Sequence, residues 1–337
     1  MSETQTPAAA NEPAPPTPVR ITIAICTYRR PALLQRTLAG IARQEFADAP
    51  RPRLDVVVVD NEGDARVGGL VEAFAVGSGI PARSVVEPSR GISHARNAAL
   101  DLIAPDSDFA AFIDDDEIPS PGWLQALLTT QARTGAAVVC GPVAPAFAAA
   151  PPHWIEDGGF FRQPRRPVGV SLEAADGVPV DEASTNNVLV RMAEVRRGGV
   201  RFHERFGLTG GEDVLFFRDL KAVGAEIVWS PEAAVSEHVP GERATFAYLA
   251  REYFRCGNVR AAIEAMEAEP PARALRSRGP AVSVRKALKK ALSQGRLLIV
   301  ALVCARGRAQ IYGHLFELAN ALGRLASCIG YRYEHYR

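Results

Sequence analysis

Two acidic clusters stand out for the chemistry they could do. Asp114-Asp115-Asp116-Glu117 follows directly on the apolar run Phe109 to Ile113. Four adjacent carboxylates repel one another unless something positive binds among them. Hard divalent cations such as Mg²⁺ or Mn²⁺ prefer oxygen ligands and usually share coordination with substrate phosphates. A solvated acidic turn is the competing interpretation. Gly210-Gly211-Glu212-Asp213 opens a second apolar stretch. Its glycines permit unusual backbone angles and close approach of a ligand. Catalytic carboxylates and first-turn acids favoured by the helix dipole both fit this pattern. Two further polar pairs, Thr27-Tyr28 and Asp60-Asn61, each close an apolar run. Tyr28 could stack on a base and Asp60 or Asn61 could hydrogen-bond one; simple strand-end capping stays open.

The elements around these clusters bring them together. Val19 to Ile25 and Leu54 to Val59 are short, β-branched and apolar, and they read as buried strands. Pro31 to Gln44 carries Leu33, Leu34, Leu38 and Ile41 at helical spacing behind an opening proline. Helices are expected around Val67 to Val76 and Ser93 to Ile103, with strands at Ser84 to Glu87 and Phe109 to Ile113. This alternation predicts an α/β fold with a mostly parallel sheet covered on both faces. Ligands of such sheets bind beyond the carboxyl ends of the strands, which is where Thr27, Tyr28, Asp60, Asn61 and Asp114 to Glu117 lie. Residues 142–181 are rich in Pro, Gly and Arg and predict a long irregular region. Asn187 to Arg191, Val214 to Val223, Glu226 to Trp229 and 244–268 resume regular structure.

Composition narrows the function classes. The chain has 337 residues, 39 Lys plus Arg against 38 Asp plus Glu, and 47% hydrophobic residues. A disordered or collagen-like chain is excluded, and the near-neutral total disfavours a nucleic-acid partner. The length suits one large or two modest domains. Cysteines at 26, 140, 256, 304 and 328 form no C-x-x-C pair, so neither a disulfide framework nor a zinc site is expected. No secretory signal is expected, and the compartment indicated is a reducing cytoplasm. Residues 1–20 form a Pro/Ala-rich leader expected to be disordered. Cys26 to Pro31 lacks the glycines of a dinucleotide-binding turn or a P-loop.

Five motifs occur in order: Cys26-Thr27-Tyr28-Arg29-Arg30-Pro31, Val59-Asp60-Asn61, Gly91-Ile92-Ser93-His94-Ala95-Arg96-Asn97, Phe112-Ile113-Asp114-Asp115-Asp116-Glu117 and Gly210-Gly211-Glu212-Asp213. Together, over residues 20–245, the chain resembles family 2 glycosyltransferases of the GT-A fold. The wording from Ile23 to Pro31, the acids, and Gly141-Pro142-Val143 followed by Pro152 and Trp154 resemble bacterial succinoglycan-type exopolysaccharide glucosyltransferases. The resemblance implies transfer of a hexose, with glucose expected, from a UDP-sugar to a hydroxyl of a lipid-linked saccharide, with inversion. It implies that Thr27, Tyr28, Asp60 and Asn61 hold the uridine, with the partner of the base open between Asp60 and Asn61. It places Arg96 near the donor phosphates and Asp114 and Asp115 at the ribose or sugar. Asp116 would ligate Mg²⁺ or Mn²⁺, Asp213 would be the general base, and Glu212 would bind a sugar. His238 could reach the diphosphate or metal, or be a structural histidine. Trp154 could belong to an acceptor loop or to the core. A sugar-nucleotide nucleotidyltransferase and a non-catalytic sugar-binding protein are the competing functions. The first needs a glycine-rich basic loop that Cys26 to Pro31 does not supply.

The expected boundaries are a leader at 1–20, a GT-A domain at 21–245 and a helical segment at 246–337. Residues 273–308 hold ten Lys or Arg and no Asp or Glu, so the rest of the chain is net acidic. Leu297 to Ala305 is apolar but too short to span a bilayer. Basic residues interleaved with apolar helix predict that residues 273–330 lie on an anionic membrane surface, peripheral to the inner face of the cytoplasmic membrane. A helical subdomain with a solvated basic face is the alternative.

Overall fold

A computed structural model describes residues 18–47, 51–161, 174–267, 279–303 and 307–336. Most of the expected leader, part of the irregular region, and Arg273, Arg276, Arg278 and Arg306 lie outside the described residues.

The amino-terminal part alternates as the apolar runs dictate. β1 (Arg20–Thr27) leads to α1 (Pro31–Ile41), β2 (Arg53–Asp60) to α2 (Ala65–Ser78), β3 (Ala82–Val86) to α3 (Ile92–Leu102), and then to β4 (Phe109–Ile113). β5 (Glu117–Pro119), α4 (Trp123–Thr134), β6 (Val138–Cys140), β7 (Val143–Phe147) and α5 (His153–Gly158) follow. β8 (Asn187–Arg191), α6 (Met192–Gly198), α7 (Glu212–Ala222), β9 (Ile227–Trp229) and β10 (Val235–Val239) complete the sheet region. Three helices end the chain: α8 (Phe246–Glu267), α9 (Gly279–Val303) and α10 (Arg308–Cys328).

Among the described residues the strands form two sheets. The larger runs β3-β2-β1-β4-β8-β6-β9 and the smaller β5-β10-β7. The larger is parallel except for β8, which runs antiparallel to both β4 and β6. Alternate side chains of a strand face opposite sides. Ile21, Ile23, Ile25, Val56 and Val58 therefore enter one core layer with Leu34, Leu38 and Ile41 of α1. Ala24, Val57, Val59 and Phe112 enter the other, with Ala95 and Ala99 of α3 and Phe216 and Phe217 of α7. Burial on both faces explains why these strands read as continuous apolar runs. β1 and β2 pair in register up to Thr27 opposite Asp60, so the polar pairs emerge level at one sheet edge.

The irregular region contains more order than its composition suggests, since β7 and α5 fall within it. Both are short, and their partners are distant in sequence. Val235 to Val239 pairs along β7, and Trp154 packs edge-on against Tyr312 of α10, with ring centroids 4.9 Å apart. Trp154 is thus a packing residue, joined by Phe160 and the fully buried Phe316.

Helices α8 and α10 cross at close range through small residues. A Cβ on Gly257 would stand 2.0 Å from the Asn320 carbonyl oxygen, and one on Gly323 would stand 2.0 Å from that of Phe254. Asn258 and Asn320 donate side-chain hydrogen bonds across the crossing to the Gly323 and Tyr253 carbonyls. Beyond residue 270 the described residues form two helices, α9 and α10, and α10 buries against this surface. No helix among the described residues is long and apolar enough to cross a membrane. Gly257→Ala tests the crossing. Alanine is the better helix former by about 1 kcal/mol, yet the clash is expected to make the variant net destabilised by about 1–3 kcal/mol in urea unfolding.

Candidate active site

The site is built where the strands end. After Thr27 the chain turns sharply into α1, and Arg29 adopts a left-handed φ of 58°. Such backbone strain concentrates at functional turns. Tyr28 and Arg30 both line the resulting cleft, which measures about 200 Å³. Thr27 Oγ1 donates to Asp115 Oδ2 at 2.7 Å. Arg30 Nη1 donates to Asp116 Oδ2 at 3.0 Å and lies 3.3 Å from Asp115 Oδ1.

Asp60 and Asn61 divide their tasks. Asp60 is buried and accepts the backbone N–H groups of Glu62 and Asp64 at 2.9 and 2.6 Å. Its carboxylate shapes the loop into α2. Asn61 lines the cleft and ties three backbone groups. It donates to the carbonyls of Glu87 and Ser89, both at 2.8 Å, and accepts the Gly91 N–H at 3.0 Å. Gly91 has a φ of 125°, and a Cβ there would stand 3.0 Å from the Gly207 carbonyl oxygen. Only glycine lets the chain enter α3 here, and α3 carries Arg96.

Arg96 joins the two acidic clusters. Its buried guanidinium donates to Glu212 Oε1 and lies 3.4 Å from Asp114 Oδ1. Burial opposes its charge, but Glu212 and Asp114 hold its pKa above the ordinary value. Gly211 at the start of α7 has a φ of 95°, and a Cβ would meet Val259 at 2.4 Å. The turn therefore requires glycine and seats Glu212 in the interior. Burial raises the Glu212 pKa to about 7 against the pull of Arg96. Its Oε2 has no hydrogen-bond partner among the described residues. Asp213 is half-buried beside it and accepts the Val214 N–H at 2.8 Å.

The first acidic cluster is buried too, which a solvated turn would not be. Asp115, Asp116 and Glu117 are all buried. Desolvation raises Asp115 to about 7, opposed first by Arg30, and it raises Glu117 well above its ordinary value. Asp116 faces Arg30 and also Arg243, whose Nη1 lies 3.4 Å away. The ring of His238 does not line the cleft; its backbone N–H donates to the Asp116 carbonyl at 2.8 Å. Among the described residues no set of three or more His, Cys, Asp or Glu side chains is arranged to hold a metal alone. The donors are nevertheless hard carboxylate oxygens in an otherwise polar cleft. They fit a cation completed by substrate phosphates, as Mg²⁺ usually is.

Several residues facing the cleft lack an obvious sequence signal. Arg243 comes from the turn before α8, and Tyr248, Glu252 and Arg255 come from α8. His335 and Tyr336 return from the far end of the chain. Asn258 fixes that return by donating to the Tyr331 carbonyl and accepting the Tyr333 N–H, and the Leu208 carbonyl accepts the N–H groups of His335 and Tyr336. Burial raises the Tyr336 hydroxyl pKa, so it stays protonated in the cleft. Contacts across such sequence distances carry no local pattern.

Comparison with known proteins agrees with this geometry. Residues 22–167 match the profile of Glycosyl transferase family 2. The succinoglycan biosynthesis protein ExoM of Rhizobium meliloti (strain 1021) is 39% identical over 239 residues, 71% of this chain and 73% of that protein. The chain belongs to glycosyl transferase family 2. Solved structures share its GT-A fold. Residues 1–349 of S. aureus TarS in complex with UDP superpose with a TM-score of 0.51 at 15% identity, covering 94% of this chain and 93% of that one. The mannosyltransferase PcManGT from Pyrobaculum calidifontis, in complex with GDP-Man and Mn²⁺, gives 0.58 at 19% identity, covering 92% and 88%. At these identities the likeness is one of fold. For this family 2 chain, the raised Asp115 pKa gives a signed stability prediction. Between pH 4 and about 7 the native state holds a proton that the unfolded chain has lost. The stability of wild type relative to Asp115→Asn is expected to fall by about 1.4 kcal/mol per pH unit across that window in urea titrations. A flat difference would contradict the assignment.

Proposed function

We propose that the chain is an inverting transferase that moves a hexose, with glucose the expected one, from a UDP-sugar to a hydroxyl of a lipid-linked saccharide in exopolysaccharide synthesis. The observation that carries the reading is the convergence of both acidic clusters on Arg96 at the sheet edge. Similarity to a succinoglycan biosynthesis protein supports the pathway class, and TarS with UDP supports the donor class.

In this reading Tyr28 and Asn61 face the base, while Asp60 and Thr27 hold the loops that position them. Asp114 and Asp115 orient the ribose or donor sugar. Asp116 would hold Mg²⁺ or Mn²⁺ together with the diphosphate, and the ion would supply positive charge to the leaving group. Arg96 contributes fixed positive charge near the same phosphates. Asp213 takes the proton from the acceptor hydroxyl as its oxygen attacks the anomeric carbon and the bond to UDP breaks. Glu212 anchors Arg96 and, through its unpaired Oε2, a sugar hydroxyl. Fixing both substrates converts binding energy into orientation.

The domain division follows the same reading: residues 21–245 carry the transferase chemistry, and 246–337 complete the cleft and attach it to a membrane. On α9 the exposed side chains Val284, Leu288, Leu292, Ile299, Leu302 and Val303 follow one helical stripe. Arg285, Lys289 and Arg296 are exposed along its flank. A basic amphipathic helix of this kind suits the inner face of an anionic cytoplasmic membrane.

Two measurements test the proposal. Asp213→Asn is expected to reduce transfer, read as acceptor-dependent UDP release, by about 10²–10⁴-fold while UDP binding survives. Near-normal turnover would remove Asp213 as the base. Leu292→Asp with Ile299→Asp is expected to abolish sedimentation with phosphatidylglycerol vesicles and leave UDP binding unchanged. Undiminished sedimentation would refute attachment through this face.

A further inference from the structure

Three hollows in the structure form a line. The first is the cleft itself. The second is a passage of about 120 Å³ that shares Glu237, Arg243, Tyr248 and Glu252 with the cleft. The third is an open groove of about 650 Å³ between α5, α9 and α10, which shares Phe160 and Tyr253 with the passage. Its size lies within the ~300–1,000 Å³ usual for small-molecule sites.

Polarity grades along this line. The cleft end carries charged groups. The middle is walled by Phe160, Phe161, Tyr248 and Tyr253. The far end is lined by Leu297, Val300, Ala301 and Gly313 together with Gln294, Gln310, His314 and Glu317. There Gln294 meets His314 at 3.0 Å, and Lys290 is paired with Glu317 at 2.6 Å. Leu297 and Val300 are about half exposed, at 45% and 52%. Exposed apolar surface of this kind marks an interaction site. Both residues belong to α9, on the face turned away from its outer stripe.

We infer that the groove binds the hydrocarbon chain of a lipid-linked acceptor and that the passage carries its saccharide into the cleft. The inference rests on the acceptor reading above and adds a specific site to it. The graded line fits an amphiphile with a hydrocarbon end and a hydroxyl-rich end. Carbohydrate and aromatic faces are compatible, which gives the Phe160, Tyr248 and Tyr253 walls a use in the middle.

Gly313 provides the test. A Cβ there meets nothing nearer than the Phe160 ring at 3.9 Å, so a larger side chain projects into the hollow without a backbone clash. The full chain would be titrated calorimetrically, without vesicles, with farnesyl phosphate, with inorganic phosphate and with UDP. Wild type is expected to bind farnesyl phosphate saturably and inorganic phosphate much more weakly. Gly313→Leu is expected to weaken farnesyl phosphate about tenfold, equal to ~1.4 kcal/mol, with UDP affinity unchanged. Val300→Asp, at an exposed position, is expected to do the same and covers the case that Gly313→Leu does not fold. Equal farnesyl phosphate affinity in wild type and a folded variant overturns the inference, as does equal affinity for inorganic phosphate. So does loss of vesicle sedimentation by the variants with farnesyl phosphate binding intact, which would make the groove a membrane-seating face. Failure of wild type to bind UDP would instead contradict the transferase reading and leave the groove result standing.

Discussion

Buried carboxylates cannot stay charged alone, and the architecture of this site follows from how they are paired. Asp114, Asp116 and Glu212 each face a guanidinium, and Asp115 faces Arg30. Arg96 bridges two segments that lie 116 residues apart from α3 to α7, and Arg243, just before α8, reaches Asp116. Removing a single partner from such a pair leaves an uncompensated buried charge, which costs more than the pair contributes. The acids and arginines are therefore interdependent, and the cleft is pre-organised before any donor arrives. Arg30 and Arg243 sit against the carboxylate that would receive a divalent cation. In the proposed reading, a cation held by Asp116 would displace these guanidiniums, and the donor phosphates would offer them a new partner.

Much of this was legible in the sequence. The parallel sheet was readable because strands buried on both faces must be apolar throughout, as Val56 to Val59 are. The site edge was readable because polar residues directly after such strands have one place to go. Gly210-Gly211 marked a turn of unusual backbone angles, and the observed φ values bear that out. The short strands β5, β6, β7 and β10 were not legible, because three to five residues pairing with distant partners have no period to detect. The division of labour between Asp60 and Asn61 was also hidden. Two adjacent residues at a strand end point in opposite directions, and only the loop geometry decides which one faces the cleft.

The helical segment changes meaning once placed. As sequence it is a basic, apolar tail. In the structure α8 and α10 interlock through Gly257 and Gly323, and the return at residues 331–336 contributes Tyr336 to the cleft. Arg285, Lys289, Arg296 and the exposed apolar stripe lie on α9, outside the crossing of α8 and α10. The same segment thus has one face that completes the site and another left for a surface, which is consistent with a substrate that is part sugar and part lipid.

The central claim is that the arginine-paired acids form the seat of a nucleotide-sugar diphosphate and its cation. A crystal structure of the protein with UDP and Mn²⁺ tests it most directly. The account predicts the base beside Tyr28 and Asn61, the metal on Asp116, and Arg30 shifted from Asp116 toward the diphosphate. Nucleotide bound away from Asp116, or Arg30 still paired with it beside a metal-free diphosphate, would contradict the account.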